Sequence, residues 1–282
     1  RGVSARSRDP LGNPDCGAGP MIVADNLDQT LPIVCNTADD RIRANVLAAC
    51  KLPLPWLDLV EALDRPAIVV GGGPSMRPLL PMIRALRDGG AEVYATNGTV
   101  RLLHSAGVTA NFHVLLDARP ENVAFVDGPK AQHYLIASQC HPLLFAAIAG
   151  HPQTLWHPAY PEIDEWIGRR EAVLIGGGTT VGLQALSIAY ALGHRKIHLF
   201  GFDSSYSEAG DGHAYAQALN DDDDRQEYRV GDRRFIAAPW MVRQAVEYQT
   251  AARQLCEGDA ELYVHGTGLL PTVAALMGKE RN

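Results

Sequence analysis

Apolar positions along this chain change their period several times, and the changes mark out its elements. From Met21 to Asp64 the runs "ADDRIRANVLAACKL" and "PWLDLVEAL" space apolar residues three to four apart, the period of an amphipathic helix. A helical N-terminal segment is therefore expected over 21–64, closed by Arg65-Pro66. Beyond it, short apolar runs alternate with helical patterns. The predicted strands are "AIVVG" (67–71), "AEVYATN" (91–97), "NFHVLLD" (111–117), "HYLIAS" (133–138), "TLWHP" (154–158), "AVLIG" (172–176), "KIHLFGFD" (196–203) and "ELYVHG" (261–266). Between them stand the helix patterns "RPLLPMIRALRD", "GTVRLLHSAG", "HPLLFAAIAG", "PEIDEWIGRR" and "TTVGLQALSIAYALG". Such alternation makes βαβ units and a parallel sheet buried on both faces. The expected fold is one doubly wound, mostly parallel, Rossmann-like α/β domain over 65–282, with helices on both faces and the helical segment packed on it.

One stretch departs from this rhythm. Residues 204–238 are polar and carry little apolar periodicity, although the helix pattern "PWMVRQAVEYQTAARQL" follows at once. A connection of that length inside a compact domain is expected to be a lid or binding segment. Residues 1–20 are basic and polar and contain no apolar h-region. They are expected to be a flexible arm, or residues appended ahead of a natural start at Met21, rather than a secretory signal.

Composition narrows the function classes. Of 282 residues, 46% are hydrophobic and 20% charged, enough for a substantial core. The net charge of -7 argues against a general duplex-binding surface, which needs clustered Lys and Arg. No apolar run approaches the roughly 18 residues of a membrane span. Cys16, Cys35, Cys50, Cys140 and Cys256 are scattered and form no C-x-x-C pair. That opposes structural zinc and a disulfide framework, and a cytoplasmic location is expected. Homo-oligomerisation is left open.

In doubly wound sheets, ligands gather at the carboxyl ends of the strands. There this chain delivers Gly71, Gly72, Gly73 and Ser75; Asn97; Asp117; Gly177, Gly178, Thr179 and Thr180; then Asp203 and Tyr206. The first loop is neither G-x-G-x-x-G nor a Walker A. Its glycines would let backbone N–H groups approach a phosphate, with Ser75 opening the helix as a cap or phosphate ligand. The bland alternative is a tight strand-to-helix turn. "GGGTTVG" (176–182) repeats the arrangement. Asn97 suits either a helix cap or a base or ribose contact. Asp117 and Asp203 suit either turn capping or magnesium, which favours one or two carboxylates plus substrate phosphates. His104, His113, His133, His194 and His198 sit inside helix or strand patterns and read as structural. His213, in "GDGHAY", lies in the polar segment, where it serves as a general acid or base or as an ordinary surface residue.

Taken together, "VVGGGPSM", "ATNGTVRLLHSAGVTANFHVLLD", "GGGTTVGLQALSIAYALGHRKIHLFGFDSSY" and "GDGHAY" resemble the MptE-like family across about residues 65 to 270. That family includes archaeal 6-hydroxymethylpterin diphosphokinases and a domain shared with flagellar motility accessory factors. The latter look like glycosyltransferases for nonulosonic acids, and both are similar in motif order to family-42 sialyltransferases. The resemblance implies a nucleotide-phosphate loop at Gly71–Ser75, a "G-x-D-x-x-Y" element at Asp203 and Tyr206, and a catalytic role for His213. Three function classes follow. A magnesium-dependent diphosphokinase would move pyrophosphate from ATP to a hydroxymethylpterin-like acceptor, and it is the favoured expectation. A glycosyltransferase would use a CMP-activated sugar with His213 as base. A binding module would hold a nucleotide without turnover.

Overall fold

The computed structural model describes residues 37–168, 171–216 and 224–280, so the expected arm over 1–20 and the segment up to 36 lie outside the described residues. Eight strands form one sheet: β1 Ala67–Val70, β2 Glu92–Thr96, β3 Phe112–Leu115, β4 His133–Ala137, β5 Gln153–Pro158, β6 Leu174–Ile175, β7 Lys196–Phe200 and β10 Glu261–His265. Their order is β10-β7-β1-β2-β3-β4-β5-β6, and every pairing is parallel. All eight predicted strands are present. Most are shorter than expected at the carboxyl end, where Gly71, Asn97, Asp117 and Gly201–Asp203 leave the ladder as loops.

Helices cover both faces. Helices α2 (Met76–Asp88) and α3 (Thr99–Ser105) bury Met76, Ile83, Val100 and Leu103 against Ile68, Val70, Val93 and Phe200. Helices α6 (Val181–Ala191), α7 (Pro239–Glu257) and α8 (Leu269–Glu280) bury Leu183, Leu186, Val242 and Val273 on the opposite face, against Ala67, Val69, Ile197 and Leu199. Helix α1 (Asp39–Ala49) matches its pattern, and the shorter α4 (Pro142–Ala147) and α5 (Ile163–Ile167) flank the β4–β6 end. Among the described residues no helix is long and apolar enough to cross a membrane.

Two expectations are corrected. "PWLDLVEAL" is extended, not helical: Leu57 donates its N–H to Leu155 O, Val60 to Ala191 O and Leu63 to Gly193 O. Leu155 of β5 and the Ala191–Gly193 turn at the end of α6 offer the backbone partners that a helix would otherwise supply. Only Leu57 of its apolar residues is fully buried, while Leu59, Val60 and Leu63 stay exposed. The polar segment 204–238 is not loop throughout. Strands β8 (Gln226–Val230) and β9 (Arg233–Ala237) form an antiparallel hairpin around Gly231-Asp232, burying Tyr228, Val230, Phe235 and Ala237 by strict alternation. Helix α8 also went unanticipated; Leu269, Leu270, Val273 and Met277 give it one buried stripe.

The loops after β1 and β7 approach closely enough to exclude side chains. Gly201 has φ +70, and a Cβ there would meet the Gly71 carbonyl. Gly201→Ala is therefore expected to lose about 3 kcal/mol in urea denaturation, combining left-handed strain with overpacking. A loss under about 1 kcal/mol would show that the loops separate easily.

Candidate functional site

From β1 the chain proceeds stepwise to β6 on one side, then returns through α6 to β7 on the other side of β1. The topological switch point therefore lies between β1 and β7, where open α/β sheets bind ligands. Backbone hydrogen bonds close its floor. Gly71 N–H donates to Phe200 O (2.7 Å), Gly73 N–H to Gly201 O (2.8 Å), and Ser75 N–H to Asp203 Oδ2 (3.2 Å). Leu270 N–H donates to Asp203 O, which brings the β10–α8 loop onto the same residue. Side chains at Gly73 or Gly268 would strike Asp203. These glycines thus serve close approach of the chain to itself. With Gly71, Gly73 and Ser75 engaged internally and Pro74 lacking an N–H, only the Gly72 amide of this loop has no acceptor among the described residues. Ser75 stands at the N-cap position without a side-chain cap bond.

Residues 213–215 lie across the two adjoining loops. Ala214 N–H donates to Gly72 O (2.9 Å), and a Cβ on Gly72 would meet the Tyr215 hydroxyl at 2.9 Å and the His213 ring at 3.1 Å. Tyr215 also covers Gly98 and hydrogen-bonds its backbone; burial pushes the phenol up to about 12, so it remains protonated near neutrality. Asn97 takes a left-handed φ of 46, and its carbonyl accepts from His113 Nε2 at 2.8 Å. Burial drives His113 down to about 4, which keeps that imidazole neutral.

The second glycine loop leads into α6 on the opposite face. Gly177 and Gly178 have φ of 106 and 143. Thr179 donates its N–H and hydroxyl to Glu247 Oε2 (2.8 and 2.9 Å), and Arg243 Nε holds the other oxygen of Glu247 at 2.9 Å. Thr180 caps α6 by accepting from Leu183 N–H, and its hydroxyl oxygen also accepts from Gln244 Nε2. Gln244 Oε1 in turn accepts from Ser204 Oγ at 2.8 Å, tying this loop to the segment after β7. Ser204 has a left-handed φ of 51. The amides of Gly177, Gly178, Thr180, Val181 and Gly182 have no acceptor among the described residues. They form a half-exposed, anion-seeking helix entry.

The switch point thus gathers Gly71–Ser75, Asn97, Asp203 and His213, and Gly177–Thr180 join it through the Thr180–Gln244–Ser204 bonds. Asp117 sits apart at the end of β3, where both its oxygens hold the Arg119 guanidinium (3.2 Å to Oδ1 and 2.7 Å to Oδ2). Tyr206 lies under the Arg225 guanidinium, 4.0 Å from its ring centroid. Among the described residues no three His, Cys, Asp or Glu side chains gather in a metal-binding cluster. Sequence reasoning missed Gln244 and Glu247. Their signal was polar residues three apart on the otherwise apolar-faced helix 239–257. It also missed Tyr215, although that residue lies inside a quoted motif.

The model of the family described as "6-hydroxymethylpterin diphosphokinase MptE-like" matches residues 51–209, more than half of the chain. Among solved structures, the chain is similar to the MAf glycosyltransferase from Magnetospirillum magneticum AMB-1, with a TM-score of 0.61 and 15% identity. That match covers 88% of this chain and 42% of the other, so the chain spans less than half of that protein, and the likeness is one of fold. No curated protein matches the sequence.

Burial raises the Asp203 carboxyl above its ordinary value, against the opposing hydrogen bonds from Ser75 and the Gly268 backbone. The folded chain therefore holds this proton to higher pH than the unfolded chain. The resulting stabilisation is complete below the unfolded value and is lost as pH rises through the folded one. Asp203→Asn, neutral throughout and still able to accept from Ser75, is expected to melt no lower than the parent near neutral pH. Its advantage should shrink toward pH ~4. Asp203→Ala, which leaves the Ser75 amide without an acceptor, should lose about 1–3 kcal/mol. An Asn variant much less stable than the parent at neutral pH would mean that the fold requires the ionised carboxylate.

Proposed function

The chain belongs to the MptE-like family, and we propose that this member is a nucleotide-dependent transferase that moves a sugar from a nucleotide-activated donor to a hydroxyl acceptor. The observation that carries this reading is His213 packed against Gly72 at the β1–β7 switch point. A base belongs there, within reach of a substrate resting on the strand ends. The donor phosphate would take the open amides of Gly177, Gly178, Thr180 and Val181, with Gly72 N–H as a further donor. Asn97 and Tyr215 would floor the nucleoside. His213 would remove the acceptor hydroxyl proton as that oxygen bonds to the anomeric carbon. The bond from that carbon to the phosphate oxygen breaks, and its electron pair leaves with the nucleotide. The family resemblance makes a CMP-activated nonulosonic acid the donor of choice.

A second reading, pyrophosphoryl transfer from ATP to a hydroxymethylpterin-like acceptor, is favoured by the description of the matching family. It was expected to use magnesium on Asp117 and Asp203. These residues fit the ion poorly: Asp117 binds Arg119 through both oxygens, and Asp203 is 3% exposed and turned onto Ser75.

With a CMP-activated nonulosonic acid as donor, His213→Ala should cut turnover roughly 10²–10⁴-fold and leave CMP affinity nearly unchanged. Activity should persist in excess EDTA. Turnover of ATP with a hydroxymethylpterin that needs magnesium and ignores His213→Ala would replace this reading with the diphosphokinase.

A further inference from the structure

Strand β10 is an outer strand of the sheet, hydrogen-bonded among the described residues to β7 alone. Glu261 N–H points inward to Arg195 O, so by strand alternation the backbones of Leu262 and Val264 point outward. Their outward groups meet no partner among the described residues. Natural edge strands are usually blunted by proline, lysine or a bulge. "ELYVH" contains neither proline nor lysine, and its pairing with β7 is unbroken over all five residues.

The side chains of this edge are arranged to continue outward. On the face away from α7 and α8, His198 stacks on Tyr263 (4.7 Å between ring centroids, 16° between planes), and Phe200 stacks on His265 (4.2 Å, 9°). Each row runs from β7 to the edge and ends on a β10 ring. Tyr263 is 39% exposed, and its hydroxyl donates to Glu261 Oε2 at 2.8 Å.

We propose that β10 pairs antiparallel with β10 of a second copy of this chain, about a two-fold axis at Tyr263. The strand is self-complementary in that register. Glu261 falls opposite His265 of the second copy, Leu262 opposite Val264, and Tyr263 opposite Tyr263. Leu262 and Val264 are the residues whose backbones face outward. Each therefore exchanges both main-chain hydrogen bonds with its opposite number, four bonds in all. The Tyr263 rings meet at the close, non-hydrogen-bonded position, extending the stack to His198–Tyr263–Tyr263–His198 across the axis. Acid meets imidazole at both ends, whereas a parallel or shifted register would lose that match. The result is a continuous sheet of sixteen strands and an isologous dimer. This assembly does not depend on which transfer reaction the site performs.

Sedimentation equilibrium of the full chain at about 50 μM should give twice the chain mass. Leu262→Pro removes an outward N–H that no described residue accepts, and Tyr263→Lys places two charges face to face at the axis. Each should return the protein to monomer with an unchanged circular dichroism spectrum. Leu262 and Val264 amides in the parent should exchange about 100-fold more slowly than in Tyr263→Lys. A parent that is monomeric at this concentration would overturn the proposal. So would a dimer that survives Tyr263→Lys, or parent amides at 262 and 264 that exchange as fast as in that variant.

Discussion

Backbone contact between the loops that follow β1 and β7 is the constraint on which the rest of the molecule depends. Gly71 and Gly73 donate to Phe200 and Gly201, while Asp203 takes the Ser75 amide from beneath and offers its own carbonyl to Leu270. Strands that meet here arrive from opposite ends of the chain's path through the sheet. This short ladder thus decides where α2 begins, where α8 begins, and how Ser204 is turned into its left-handed conformation toward Gln244. A buried carboxyl with a raised pKa at such a junction is tolerable because backbone donors surround it.

One consequence is a division of labour between two glycine loops that look alike. The first spends most of its amides on its own chain and gives its remaining surface to His213 and Tyr215. The second uses Glu247, Gln184 and Gln244 as external braces, and leaves a row of amides at the α6 entry unmatched. In the proposed reaction, the first loop is the bench that holds the base, and the second is the cradle for the leaving phosphate. Asp117, although a strand-end carboxylate like Asp203, belongs to neither loop because Arg119 closes it into a local pair.

The parallel sheet was legible because its strands are short apolar runs bounded by glycine, proline or polar residues, and burial on both faces leaves no other period. "PWLDLVEAL" misled because apolar spacing alone does not reveal that Leu155 and the turn after α6 will claim the backbone. The β8–β9 hairpin was hidden by its charged outer face, with Glu227, Arg229 and Arg234 masking the alternation of Tyr228, Val230, Phe235 and Ala237. The strand-end residues could be named in advance, since topology alone brings them to one edge. What the sequence could not disclose was which loop amides are already satisfied. That depends on contacts between segments more than a hundred residues apart, such as Ser75 with Asp203.

The most direct test is amide hydrogen exchange of the full chain with and without CMP. New protection is expected at Gly177, Gly178, Thr180, Val181 and Gly72, while Gly71, Gly73 and Ser75, already bonded internally, exchange slowly in both states. Protection that instead appears at Gly71, Gly73 and Ser75 on binding, with the 177–181 amides unchanged, would contradict it.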